Sequence, residues 1–143
     1  MRKALEDVKI DTRLTLAGLW AALMLLYIYC DIFSLFRPGH IGEIMAGHMG
    51  PFAVSQATLV AFGIMMILPV LMLIACLFLK AVLVRRLNII GGALYTAVGI
   101  GNMAGETWAY YILYGVVEVL VTLLIFFTAI GWGKKTVKEE VKA

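Results

Sequence analysis

Charged residues are scarce in this sequence. Only 15% of its 143 residues are charged and 63% are hydrophobic, whereas a soluble domain averages about 25% charged residues. So little polar surface cannot cover a water-facing globule, and the composition excludes an ordinary soluble domain. The length suits a single domain in lipid, because four spans of about 20 residues each would use most of it.

Cysteine and catalytic motifs are also nearly absent. The two cysteines, Cys30 and Cys76, form no C-x-x-C pair, so the usual signature of a thiol–disulfide relay is missing. No phosphate-binding loop, nucleophile elbow or H-E-x-x-H sequence occurs. The sequence therefore does not favour an enzyme, and we predict no cofactor, no catalytic residue and no metal site.

Long apolar runs make up most of the chain. Each can cross a hydrocarbon core of about 30 Å as a helix, and lipid favours helices because backbone groups must be paired within the segment. We predict a single membrane domain, residues 1–143, with an all-α fold: a four-helix transmembrane bundle. The predicted spans are about 14–36, 52–79, 88–108 and 109–132, with an outer loop at 37–51.

The basic residues fall almost entirely on one side of this bundle. Eleven of the twelve lie in the N-terminal segment, the connection between spans two and three, or the C-terminal tail. They are Arg2, Lys3, Lys9, Arg13, Lys80, Arg85, Arg86, Lys134, Lys135, Lys138 and Lys142. The positive-inside rule places that side, with both termini, in the cytoplasm. Basic residues beside apolar spans are typical of anionic-lipid anchors, so we expect the lipid bilayer as partner and no nucleic acid.

Polar and small residues recur at helical spacing along three of the spans. The stripes are Trp20, Tyr27, Asp31 and Ser34 in span one, Tyr95, Gly99, Asn102 and Glu106 in span three, and Tyr111, Tyr114, Glu118 and Thr122 in span four. An ionisable side chain at the centre of a membrane helix costs ~2.5–3.5 kcal/mol. We therefore expect the three stripes to face one another inside the bundle.

The depths of the three acids predict a pocket that opens outward. Glu106 lies at the outer interface, Asp31 ~8 Å below it and Glu118 ~15 Å below, from the helical rise. We predict that this pocket binds a ligand or carries protons. Its candidate residues are Asp31, Glu106, Glu118, Asn102, Tyr27, Tyr114 and Arg37.

The outer loop is predicted to form a lid above the pocket. His40, Glu43 and His48 are placed for a short interfacial or re-entrant helix. Their spacing matches no established zinc pattern. Hydrogen bonds would hold the lid, with Arg37 pairing Glu106, Glu118 or, where span one ends near Phe36, Asp31.

Proline and small residues predict two local features. Pro69 removes a backbone hydrogen bond in span two and is expected to kink that helix. Ala97, Gly101 and Gly105 recur every fourth residue in span three, and this spacing lets helices touch backbone to backbone, either within the bundle or in a dimer.

Three classes of function remain open, in this order. The first is binding or transport of a small molecule or cation by the pocket. The second is a scaffold or interaction subunit whose polar cluster only aligns the helices, because buried polar residues can fix register without chemistry. The third is a membrane enzyme or redox subunit acting on a lipid-soluble substrate. Four short helices are few for a whole transporter, so a homo-oligomer or a membrane partner is compatible with the chain.

Several segments resemble a family of short bacterial membrane proteins of unknown function. They are YCDIFSLFRPG, IMAGHMGPF, ILPVLM, NIIGGALYT, WAYY and EVLVTLLI. The resemblance covers nearly the whole chain, and it implies four spans and a bacterial inner-membrane location. It supplies no activity, ligand or catalytic residue.

Overall fold

A computed structural model describes residues 9–133. Four helices of 23 residues each are long and apolar enough to cross a membrane, and they pack together, which confirms the all-α prediction. A short helix and a two-stranded antiparallel hairpin follow the first of them. The elements are α1 (Thr12–Ser34), α2 (His40–Met45), β1 (His48–Met49), β2 (Phe52–Ala53), α3 (Gln56–Phe78), α4 (Ala81–Met103) and α5 (Ala109–Gly131).

The two ends of the bundle differ in what they carry. Residues 9–12, 81–82, 85–86 and 131–133 meet around one cavity, so both ends of the described chain lie together at what we call the terminal end. The opposite end, which we call the loop end, carries α2, the hairpin and the connection between α4 and α5. Six of the eleven basic residues behind the predicted orientation lie outside the described residues. Which end faces the cytoplasm stays a prediction.

Side-chain caps set the starts of two helices. The Asp11 side chain accepts a hydrogen bond from the backbone N–H of Arg13 at 2.8 Å and begins α1. Ser55 does the same for the N–H of Thr58 at 3.1 Å and begins α3. Each cap satisfies one of the backbone donors that a helix leaves unpaired at its start.

Helix α4 starts at Ala81, earlier than the expected start near residue 88. The segment 80–86 was expected to be a connection because it is basic. Arg85 instead donates from Nε to the carbonyl of Ala129 and from Nη2 to that of Ile130, both at 3.1 Å. The guanidinium therefore satisfies carbonyls in the last turn of α5, and a cation is favourable at that negative end of a helix.

Each long helix packs against two others, and α1 links α3 to α5. Helix α1 packs against α3 on one side and α5 on the other, α4 packs closely on α5, and α3 and α4 make less contact. The apolar core lies in the half nearer the terminal end. Its largest members are Leu16, Trp20, Leu23, Val84 and Ile125, all fully buried.

A buried polar cluster ties three helices together within this core. The Trp20 indole N–H donates to Oδ1 of Asn88 at 2.7 Å, and the Asn88 amide donates to the carbonyl of Val84 at 2.8 Å and to Sγ of Cys76 at 3.3 Å. Each polar atom of this cluster has a partner, as buried groups in lipid require. The cluster joins α1, α3 and α4 without leaving a group for chemistry.

Pro69 lies within α3, which is continuous from Gln56 to Phe78. A proline has no N–H to give the carbonyl four residues earlier, here Met65. The hydroxyl of Tyr95 on α4 donates to that carbonyl. A side chain of a neighbouring helix thus replaces the missing backbone donor, which is how membrane helices tolerate proline.

Among the described glycines, Gly92 is the one that lies against the backbone of a neighbouring helix, and it is outside the predicted Ala97–Gly101–Gly105 series. A Cβ at Gly92 would lie 3.0 Å from the backbone nitrogen of Phe126 and 3.1 Å from its Cα. A Cβ at Gly101 or Gly105 would meet nothing within 4 Å. Gly92 therefore permits the tight packing of α4 on α5, and within this chain Gly101 does not.

Candidate functional site

A small cavity lies between the four long helices, in the half nearer the loop end. Its volume is about 60 Å³. Every long helix contributes to its wall. The lining residues are Tyr27, Cys30 and Asp31 from α1, Met65 and Met66 from α3, Tyr95, Val98 and Asn102 from α4, and Tyr111, Gly115 and Glu118 from α5.

Six residues of the predicted stripes come together in the lining of this cavity. They are Tyr27, Asp31, Tyr95, Asn102, Tyr111 and Glu118. All of them except Tyr95 and Tyr111 were also predicted as candidate residues of the pocket. Tyr27 and Asp31 are one helical turn apart on α1, so they present to the same side. The stripes of spans one, three and four therefore converge at this cavity through these six residues.

Glu118 is the most unusual member of the lining. Only 6% of its surface is exposed, and no described residue gives its carboxylate a hydrogen bond or an ion pair. Among the described residues, every fully buried side-chain oxygen has a hydrogen-bond partner. Because the Glu118 oxygens have none, they are not fully buried and are accessible from the cavity. A carboxylate in a membrane bundle normally pairs with another group or marks a functional site.

Oxygen atoms dominate the polar lining around Glu118. Asp31 adds a second carboxylate, Asn102 an amide and Tyr111 a phenol. The Tyr95 hydroxyl donates its proton to the carbonyl of Met65, so its lone pairs are still able to accept. Carboxylate, amide and hydroxyl oxygens are hard ligands, suited to small hard cations and to protons.

Glu106 and Arg37 lie outside this lining and form a clamp at the loop end. Nη1 of Arg37 lies 3.1 Å from Oε2 of Glu106, and Nη2 lies 3.4 Å from Oε1. The guanidinium also stacks over the Trp108 ring, with Cζ 4.7 Å from the ring centroid. The clamp joins the segment after α1 to the connection between α4 and α5, and it selects Glu106 among the three partners considered for Arg37.

The clamp lowers the pKa of Glu106. Burial alone raises the pKa of this carboxyl, but the N–H groups of Trp108 and Thr107 and the charge of Arg37 outweigh it. Oε1 accepts from Thr107 at 2.8 Å and from Trp108 at 3.0 Å. Donors that stabilise the ionised carboxylate hold its pKa below the ordinary value.

Acidification should therefore remove a stabilising contribution that depends on Glu106. Because its pKa is lower in the folded protein, the contribution is complete above the ordinary pKa of 4.5 and is lost as pH falls through the folded value. Thermal unfolding in lipid nanodiscs checks this. We expect wild type to be more stable than Glu106→Gln at neutral pH and the difference to shrink in acid. A difference that stays constant across the range would contradict a charged clamp.

The remaining predicted residues lie apart from the cavity. The Tyr114 ring packs on Phe33, with the centroids 6.2 Å apart. His40 begins α2, and its Nδ1 lies 3.5 Å from Oε2 of Glu43. His48 is in β1, paired with Ala53 of β2. The predicted lid is thus a helical turn followed by a hairpin, and none of its three candidate residues lines the cavity.

No group of three or more His, Cys, Asp or Glu residues in the range 9–133 is arranged to hold a metal ion. Two carboxylates of the described chain, those of Asp31 and Glu118, line the oxygen-lined cavity. The described residues therefore form no transition-metal site built from side-chain nitrogen and sulfur ligands.

Five lining residues belong to none of the three predicted stripes: Cys30, Met65, Met66, Val98 and Gly115. Val98 lies one helical turn before Asn102, which is a stripe residue. Met65 lies one helical turn before Pro69, and this position could have identified it from the sequence. A carbonyl freed by proline attracts a donor such as Tyr95, and that donor belongs to the polar stripe of span three.

Comparison with known proteins identifies a family but no characterised relative. No curated protein and no solved structure matches the chain. A family model described as "Family of unknown function (DUF6326)" matches residues 5–139, which is most of the chain. The resemblance to a family of unknown function with four membrane spans is therefore confirmed, and this multi-pass membrane protein belongs to the DUF6326 family.

Proposed function

We propose that this protein binds a small cation, in which class we include the proton, in the cavity around Glu118. The observation that carries the proposal is a carboxylate that is 6% exposed, lines the cavity and has no partner among the described residues. An isolated charge in an apolar medium is costly. A bound cation or proton removes that cost at this position.

The volume of the cavity supports a small occupant. About 60 Å³ holds a few water molecules or one partly hydrated ion, since a site for one water needs about 10–15 Å³ on this measure. Pockets for organic ligands span about 300–1,000 Å³. The volume therefore favours a cation over an organic solute, and it argues against a lipid-soluble redox substrate held in this cavity.

The charge pattern supports an orientation for this site. On the positive-inside rule, the terminal end faces the cytoplasm and the cavity lies toward the outer surface of a bacterial inner membrane. Entry from outside and release inward would make the site part of a transport path. A scaffold role predicts that each buried polar group is paired, as around Asn88. Glu118 has no partner among the described residues, which favours binding over a purely structural role.

The proposal is tested with Asp31→Asn, which removes the second carboxylate of the cavity. Protein in nanodiscs is unfolded thermally while Na⁺, K⁺ or proton concentration is varied. We expect wild type to gain stability with one of these cations and Asp31→Asn to need about tenfold more of it, as for a lost charge-assisted interaction of about 1.5 kcal/mol.

Glu43→Gln is the matched control. Glu43 is an exposed carboxylate of α2 that does not line the cavity, so its loss should leave the cation response unchanged. Equal responses of wild type and Asp31→Asn to all three cations would refute binding in this cavity. Flux of the same cation into proteoliposomes then separates transport from binding alone.

A further inference from the structure

A second and much larger cavity lies at the terminal end, on the opposite side of the core from Glu118. Its volume is about 880 Å³, which is within the range of pockets for organic ligands. The start of α1, the start of α4 and the end of α5 form its wall. The lining residues are Lys9, Ile10, Asp11, Thr12, Ala81, Val82, Arg85, Arg86, Gly131, Trp132 and Gly133.

The described lining of this cavity carries a net positive charge. Three cationic side chains, those of Lys9, Arg85 and Arg86, face one carboxylate, that of Asp11. The Asp11 carboxylate is already engaged, because its Oδ1 accepts from the N–H of Arg13 as the cap of α1. An anionic group in the cavity would therefore meet a net attraction.

Arg85 is held in a fixed position for such a group. Its Nε and Nη2 each donate to a carbonyl at the end of α5. A guanidinium has five N–H donors, so three remain without a partner among the described residues. A guanidinium whose plane is already fixed loses little freedom when it binds a phosphate through two parallel hydrogen bonds.

Backbone donors at the start of α4 add to the same environment. Lys80 precedes this helix and supplies no side-chain cap. The first N–H groups of a helix have no partner within it, and here those of Ala81 and Val82 belong to residues that line the cavity. These donors and the positive end of the α4 dipole favour an anion.

We propose that the cavity at the terminal end binds a phosphate group. Its position at the ends of apolar helices, beside the half-buried ring of Trp132, indicates the headgroup of an anionic phospholipid as the source. Tryptophan is enriched at the membrane interface, where headgroups lie. The site is separate from the cation cavity and does not depend on its function.

The test uses the full chain in a neutral detergent. Its thermal unfolding is followed while dihexanoyl phosphatidylglycerol or dihexanoyl phosphatidylcholine is added. We expect stabilisation at lower concentrations of the anionic lipid. Lys9→Ala and Arg86→Ala should each raise the concentration for half-maximal stabilisation about fivefold, the effect of about 1 kcal/mol for one cation near a lipid surface. Both side chains are exposed, so these variants should fold.

Lys80→Ala is the matched control, since it removes one exposed cation from the same end without changing the lining. The proposal is overturned when Lys80→Ala weakens the response as much as Arg86→Ala, or when phosphatidylcholine stabilises as well as phosphatidylglycerol. Sodium phosphate, compared with sodium chloride at equal ionic strength, identifies the source. If inorganic phosphate stabilises the protein at the same concentrations as phosphatidylglycerol, the site binds a soluble anion. If phosphatidylglycerol stabilises it and inorganic phosphate does not, the site binds the lipid headgroup.

Discussion

Replacing Glu118 with glutamine should weaken cation binding in the central cavity by about 100-fold or more, because removing one partner of a buried charge pair leaves the other charge uncompensated and costs about 3–5 kcal/mol. Glutamine has nearly the same shape and keeps one acceptor oxygen, so the lining should be otherwise preserved. The measurement is the cation dependence of thermal unfolding in nanodiscs, with flux into proteoliposomes as the second readout.

The same substitution should have the opposite effect on the protein without its cation. Glu118 is buried with no described partner, so removing its charge removes a cost rather than a contact. We expect Glu118→Gln to be at least as stable as wild type at low cation concentration and less stable than wild type when the cation saturates it. This crossing of the two stability curves separates a ligand from a structural residue.

Glu106→Gln is the matched control for this experiment. It makes the same chemical change in the clamp at the loop end, outside the cavity lining. It should lower stability at neutral pH by a similar amount with and without cation, since it breaks the pair with Arg37. A loss of cation response in Glu106→Gln as large as in Glu118→Gln would mean that general charge at this end, not the cavity, attracts the cation.

Lipid as the solvent made the four helices predictable, and the same reasoning placed part of the site. Tyr27 and Asp31 are one turn apart within α1, and Tyr95 and Asn102 are two turns apart within α4. All four line the cavity. Helical spacing is reliable in such cases because each pair lies inside one continuous helix.

The same spacing rule does not apply past a helix end. Glu106 was placed on the stripe of span three, but α4 ends at Met103 and Gly105 has a φ of 82°. The chain leaves the helix there, in a conformation that glycine adopts most easily. Glu106 consequently pairs with Arg37 and does not line the cavity beside Asn102, and no periodicity within the span indicates where the helix ends.

Glycine spacing alone also could not identify the packed face of α4. The series Ala97, Gly101 and Gly105 has the spacing that permits close approach, whereas the glycine that lies against the backbone of α5 is Gly92. Which face of a helix meets its neighbour depends on the rotation of both helices, and Phe126 on α5 gives no sign of it in the sequence. Only the structure shows which of these glycines lies against α5.

Replacing Gly92 with leucine should separate α4 from α5 and prevent stable folding of the bundle. The atoms that a Cβ would meet are the nitrogen, Cα and Cβ of Phe126, at 3.0–3.1 Å, and no rotation about a side-chain bond moves a backbone. Alanine at the same position should destabilise the bundle by about 1–3 kcal/mol, the usual cost of forcing atoms into packed space. Unfolding in mixed micelles of neutral detergent and dodecyl sulfate measures both.

Gly101 provides the control within the same helix. A Cβ at Gly101 would meet nothing within 4 Å, so Gly101→Ala keeps the packing and gains the helix propensity of alanine, up to about 1 kcal/mol. Because Gly92→Ala gains the same propensity, the difference between the two variants measures the steric cost at Phe126 alone. Equal stabilities would mean that α4 and α5 can move apart freely. The packing of Gly92 against Phe126 would then not hold the helices that carry Asn102 and Glu118 in place.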